Sequence, residues 1–287
     1  MTSPLAGFPD PRYLIDAHGL RGRLDATTLI DLRPAEDFAL GRIPGARHLD
    51  LYGVSLNDTA PGPLSAFLAL FRTLFGARGV TLEKPVVIYD HETGERAARA
   101  VWLLALLGHP EVRILDGGTQ AWSAAGHALE RVTQAPPPPD PAKTPPTAPP
   151  FKGVQNLELL ATRFDVERAI GDPGTVILDV RRESEYRGSE RRARRAGTLP
   201  GAVHLFWREH LDARGALRPP GEIRALYASR GVTPDRTVIP VCHGGYRSAN
   251  TLLALKSLGY PRVRNYAGAW AEWGNRDDTR IVVPDPG

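Results

Sequence analysis

Three well-separated landmarks recur along this chain at almost one spacing. Asp31 and Asp179 lie 148 positions apart, Asp90 and Cys242 lie 152 apart, and Trp122 and Trp273 lie 151 apart. Around the first, Thr28-Leu29-Ile30-Asp31-Leu32-Arg33 matches Val176-Ile177-Leu178-Asp179-Val180-Arg181, and Pro-Gly-Ala follows in both copies, at 44–46 and 200–202. Around the second, the apolar run ending at Asp90 matches the one ending at Cys242, and Leu107-Gly108-His109-Pro110 matches Leu258-Gly259-Tyr260-Pro261. An offset held over this distance indicates duplication of a whole domain, not a short solenoid repeat. With 287 residues, each copy is long enough for a core of its own.

Between the copies, nine of the fifteen residues 136–150 are Pro. Such a stretch cannot form helix or central strand and reads as an extended, semi-rigid linker. The expected organisation is a first domain over 12–130, a linker over 131–152 and a second domain over 153–287. Within each copy, short β-branched runs alternate with helical ones. Val86–Tyr89 and residues 238–241 are continuous apolar runs bounded by turn residues, as in strands buried on both faces. The predicted fold class is therefore α/β: two tandem domains, each a small parallel sheet with helices on both faces. Pro240 conflicts with a central strand, which needs its N–H for the ladder, so a bulge or an unpaired position is expected there.

Composition excludes several classes. The single cysteine, Cys242, rules out an intramolecular disulfide scaffold and the multi-cysteine zinc and iron–sulfur sites, and favours a reducing, cytoplasmic setting. The longest apolar run, residues 100–107, is far too short to span a membrane, and residues 1–13 show no signal-peptide pattern. Of the 36 basic residues only four are Lys, and seven Arg fall within 181–195. That density suits a solvated face or a contact with a small anion. Without interleaved aromatic residues it argues against nucleic acid.

Cys242 stands directly after the second apolar run and opens the loop Cys242-His243-Gly244-Gly245-Tyr246-Arg247, which leads into a stretch with Leu252, Leu255 and Leu258 at helical spacing. Strand, Gly-rich loop and helix start together make an anion cradle, because successive N–H groups converge and the helix N-terminus adds partial positive charge. The same dipoles stabilise a thiolate. A free Cys is most often a small buried hydrophobe, but the C-terminal end of a parallel strand is where open α/β sheets bind ligands. Cys242 is thus the expected nucleophile, one that attacks and then carries an anionic group. Arg247 is the expected cation for that group, and His243 a substrate contact rather than a base. Phosphatase-type loops read Cys-x5-Arg, whereas Cys242 and Arg247 enclose four residues. The tighter ring suits a sulfane sulfur better than a phosphoryl group.

On these residues the chain resembles the two-domain rhodaneses over 12–129 and 156–283. The similarity lies in the Asp-x-Arg strand ends, Pro-Gly-Ala, the six-residue loop and the segment Asn265-Tyr266-Ala267-Gly268-Ala269-Trp270-Ala271-Glu272-Trp273-Gly274, where the family form has Asp in place of Ala267. The resemblance implies a catalytic second domain and an inert first one, in keeping with Asp90 opposite Cys242. It implies a ping-pong sulfurtransferase that needs no metal or organic cofactor: thiosulfate donates sulfur to Cys242, and cyanide or a cellular thiol such as thioredoxin or glutathione accepts it. The expected substrate-binding residues are Arg247, Arg194, His243, Gly244, Gly245 and Tyr246. The loop is similar to bacterial thiosulfate-type loops that end in Arg-Ser, and Glu185 stands where mercaptopyruvate enzymes have the first of two Arg. Thiosulfate is therefore favoured over 3-mercaptopyruvate. A non-catalytic sulfur carrier of the same fold and a Cys-dependent phosphatase are the competing readings.

Overall fold

The computed structural model describes residues 3–131 and 148–284. Five strands form the first half: β1 (Leu14–Ile15), β2 (Thr28–Asp31), β3 (Arg47–His48), β4 (Val86–Tyr89) and β5 (Val112–Leu115). They make one wholly parallel sheet in the order β1-β5-β4-β2-β3. Side chains on successive residues point to opposite faces, so Val86 and Ile88 enter one apolar cluster while Val87 and Tyr89 enter another. The second half repeats this plan with β6 (Leu160–Ala161), β7 (Thr175–Asp179), β8 (Val203–His204), β9 (Thr237–Val241) and β10 (Asn265–Tyr266). Here the sheet is split into β8-β7-β9 and β10-β6.

Pro240 explains the split. The N–H of Thr237 donates to Gly174 on the β7 side, and that of Val238 donates to Arg262 on the β10 side. By alternation the nitrogen of Pro240 also faces β10, where it has no hydrogen to give. The ladder toward β10 therefore stops at one bridge, Val238 to Val263, while Pro240 keeps its register opposite Leu178 in β7. The expected unpaired position exists, with its missing bond turned away from β7.

Twin ion pairs fix the two halves at equivalent points. Arg33 bonds Asp31 through its own N–H and its guanidinium (Nη2–Oδ2 2.6 Å) and reaches the Gly41 carbonyl. Arg181 does the same with Asp179 (2.6 Å) and the Gly197 carbonyl. Both pairs are buried. The Asp-x-Arg repeat is thus a structural lock at the strand ends.

The halves do not keep wholly separate cores. One large cluster holds Ile30, Val86, Ile88 and Ile114 of the first half together with Val176, Leu178, Val238 and Leu252 of the second. The cause lies in the helix Glu95–Leu106, buried continuously from Ala97 to Leu106. With ten consecutive residues buried, Arg99 the one charge among them, this stretch is covered on every side. Its second cover is the helix Arg247–Ser257, itself almost wholly buried. The expected linker runs mostly through residues 132–147, outside the described residues. Its last part docks onto the first half: Phe151 stacks on His109 at 5.7 Å between centroids, and Arg72 binds the carbonyls of Phe151 and Gly153. Among the described residues no helix is long and apolar enough to cross a membrane.

Because the largest core is shared, the chain is expected to unfold in one cooperative thermal transition. Two well-resolved calorimetric transitions would mean that the halves unfold independently.

Candidate active site

Strand β9 ends at Val241, and Cys242 follows as the first residue of the loop, with only 1% of its surface exposed. Two donors already converge on its sulfur. The Gly245 N–H lies 3.2 Å from Sγ and the Ser248 hydroxyl 3.3 Å. Gly245 has φ 81°, and a Cβ there would crowd the Ala267 carbonyl at 3.2 Å, so the turn that aims its N–H demands glycine. The Asn265 amide holds the Gly245 carbonyl at 3.1 Å from outside.

The carbonyls at the start of the loop are held too. Trp270 N–H donates to Cys242 O at 2.9 Å and Ala271 N–H to His243 O at 2.8 Å. This requires a left-handed turn at Ala269 (φ 52°), a strained conformation for a residue with a side chain. The first half makes the same bonds from Thr119 and Gln120 to Asp90 and His91, turning at Gly118 (φ 54°). The repeat is therefore kept down to the loop, and Asp90 occupies the place of Cys242.

Arg247 does not reach outward. Its Nη1 and Nη2 grip the buried Glu185 carboxylate at 2.5 and 3.0 Å. Burial alone would raise the Glu185 carboxyl, but the bonds and charge of Arg247 outweigh it and hold the group below the usual glutamate range. The predicted anion cation is thus already paired, and it braces the loop against the helix Glu183–Tyr186. Arg194 is also turned elsewhere: its guanidinium pairs with exposed Asp277 and its N–H donates to Asn275. Its neighbour Arg192 lies at the site instead, half-exposed, 3.7 Å from Glu185. Two members of the basic run 181–195 are absorbed internally, Arg181 by Asp179 and Arg195 by Thr279 and Trp273, while Arg182, Arg191 and Arg194 are exposed. His243 is pushed down to about 4 by burial and by the charges of Arg192 and Arg247, and its buried Nδ1 has no partner among the described residues. It stays neutral at pH 7 and makes a poor base there. Gly244 is buried in the loop, and Tyr246 turns its hydroxyl to the Leu51 carbonyl of the first half at 2.8 Å.

The first half roofs the loop. The N–H and hydroxyl of Thr59 both donate to buried Glu272, which also accepts from Tyr266. Arg99 crosses from the helix Glu95–Leu106, stacks 4.0 Å over the Tyr246 ring and donates to the Val54 carbonyl at 2.5 Å. Sequence reasoning missed Ser248, Arg192, Thr59 and Arg99. The Arg-Ser step pointed to the first, but no pattern within one half reveals a residue supplied by the other.

A model of the rhodanese-like domain matches residues 16–125 and again 162–276. The chain belongs to the rhodanese family. It is 38% identical over 279 residues to a thiosulfate sulfurtransferase of Pseudomonas aeruginosa, covering 96% of this chain and 99% of that one. It is 31% identical over 287 residues to a sulfur carrier protein of Thermus thermophilus, covering 94% and 96%. A crystal structure of the 3-mercaptopyruvate sulfotransferase of Escherichia coli superposes with a TM-score of 0.72 at 28% identity, covering 91% of this chain and 99% of that one. These relatives support a sulfurtransferase activity.

Glu185→Gln would leave the Arg247 guanidinium buried without its counter-charge, at a cost of about 3–5 kcal/mol. The pH dependence has a definite sign. A carboxyl held low in the folded state contributes stability above its unfolded value, and this is lost as pH falls through the folded value. Melting temperatures followed from pH 6 down to pH 3 should therefore drop more steeply in the wild type than in Glu185→Gln.

Proposed function

We propose that this chain is a thiosulfate sulfurtransferase working through a persulfide on Cys242. The observation that carries this reading is the pair of donors, Gly245 N–H and Ser248 Oγ–H, aimed at a lone buried sulfur inside a six-residue loop. The Cys242 thiolate attacks the outer sulfur of thiosulfate. The new S–S bond forms as the sulfur–sulfur bond of the donor breaks, and sulfite leaves with that electron pair. Cyanide or a cellular thiol then takes the outer sulfur, restoring the thiolate. No proton has to move in the first step, which agrees with a neutral His243 beside the nucleophile. The loop's donors suit a small anionic sulfur, and four enclosed residues leave a ring smaller than phosphoryl transfer uses.

The sulfonate end of the donor needs a cation outside the loop, and Arg247 is already bound to Glu185. Arg192 is the group we assign to it: it lies beside Glu185, acts on His243 and remains half-exposed. Glu185 stands where mercaptopyruvate enzymes have the first of two arginines and is paired with Arg247, so this position offers no free guanidinium to the carboxylate of a mercaptopyruvate donor. The first half is assigned no chemical step of its own, since Asp90 at the duplicated position cannot hold a sulfane sulfur. The single cysteine fits a reducing, cytoplasmic location.

Steady-state assays with thiosulfate and cyanide test the reading. Cys242→Ser should abolish turnover with the fold intact, and turnover within tenfold of wild type would sink the mechanism. Arg192→Ala removes a charge-assisted contact of ~1.5–3 kcal/mol, so kcat/KM for thiosulfate should fall roughly tenfold to a hundredfold. A purified wild type that takes up sulfur but shows no turnover with cyanide or thiols would favour a sulfur carrier.

A further inference from the structure

Arg99 is 2% exposed, and among the described residues no carboxylate pairs with it. Its Nη2 is satisfied by Val54, yet Nε and Nη1 are buried with no hydrogen-bond partner. Three aromatic rings surround it: Tyr246 at 4.0 Å, Phe71 at 5.5 Å and Phe67 at 5.6 Å. A permanent charge in such a setting is costly unless an anion compensates it. Burial lowers the proton affinity of its guanidinium, and the two groups that oppose this are Tyr246 and Cys242. Cys242 is the one whose chemistry calls for an anion.

The duplication supplies a control. The helices Glu95–Leu106 and Arg247–Ser257 start 152 positions apart, which puts Thr251 at the counterpart of Arg99. Thr251 is equally buried and neutral, so the scaffold does not need a cation at this point of the helix. The cation is present only on the copy that faces the cysteine loop of the other half.

We infer that the buried guanidinium of Arg99, supplied by the half without a cysteine, is the fixed counter-charge of the Cys242 thiolate and of the persulfide formed on it. Other charged groups face the loop, but they largely cancel. Arg247 is neutralised by Glu185, and Arg192 is solvated and lies beside the same carboxylate. Glu95 and Asp90 approach from the first half, where burial raises both carboxyls and the charge of Arg96 acts against that rise in each. His243 is neutral. Arg99 is left as the one uncompensated buried cation among these groups. It touches the loop through the Tyr246 ring and acts by its field, not by contact with the donor.

This inference rests on the reading of Cys242 as the nucleophile, and it is tested without any sulfur donor. Cys242 is the only thiol in the chain, so iodoacetamide alkylation followed by intact mass reports it alone. In Arg99→Met the midpoint of the alkylation–pH profile should rise by about one unit, with a rate about tenfold lower at pH values below the midpoint. Arg99→Lys should return most of the rate. Because Arg99→Met also removes an unpaired buried charge, its melting temperature should stay within a few degrees of wild type. Arg99→Gln, which can still donate to Val54, serves if the Met variant does not fold, and the same shift is expected. A folded Met or Gln variant with an unchanged profile overturns the inference. If wild type fails to transfer sulfur while the profile still shifts, the sulfurtransferase reading falls and the role of Arg99 stands.

Discussion

The helix Glu95–Leu106 is buried from Ala97 to Leu106 without a break, and much else follows from that. A stretch this apolar, with the single charge Arg99, cannot lie on the surface of a small α/β domain. It covers its own sheet on one side and must find a second apolar surface on the other. The duplicated helix Arg247–Ser257 supplies that surface, and the two halves are thereby joined through one core. The loop that opens with Cys242 leads directly into the second helix. Packing the helices together therefore sets the cysteine loop against the first half.

The site is built from that juxtaposition. Buried polar ties hold the loop from both halves: Glu272 receives Thr59 across the interface, Tyr246 bonds Leu51, and Asn250 donates to the Thr93 carbonyl of the duplicated loop. On its other side Arg247 is clamped to Glu185. The result is a loop held from several sides, in which an N–H and an O–H donor already converge on the Cys242 sulfur. The half that lacks a cysteine has kept the architecture and supplies walls and charge to the half that has one.

Much of this was legible in the sequence, and the parts that were not share a cause. The repeat, the parallel strands, the break at Pro240 and Cys242 at a strand end are all read from local patterns, and local backbone physics enforces them. Arg247 is the cation nearest to Cys242 in sequence and Arg194 falls near the second arginine of the family pattern, yet each turns to a carboxylate instead, Glu185 and Asp277. In a run with seven arginines, spacing alone cannot say which guanidinium is left over. Arg99 was invisible for a different reason. In sequence it is the third charge of the helix, after Glu95 and Arg96, and its meaning appears only when the other half is laid against it. The shared core escaped prediction likewise: the apolar run 100–107 was read as too short for a membrane, but what it needed was a second protein surface.

The central claim is that Cys242 accepts a sulfur atom while held between the two halves. The most direct measurement is the intact mass of the purified full-length chain before and after exposure to thiosulfate, with the label mapped by proteolysis. The account predicts a gain of one sulfur atom, about 32 Da, confined to the peptide containing Cys242 and removed by cyanide. An unchanged mass after thiosulfate, or an added sulfur that survives cyanide, would contradict it.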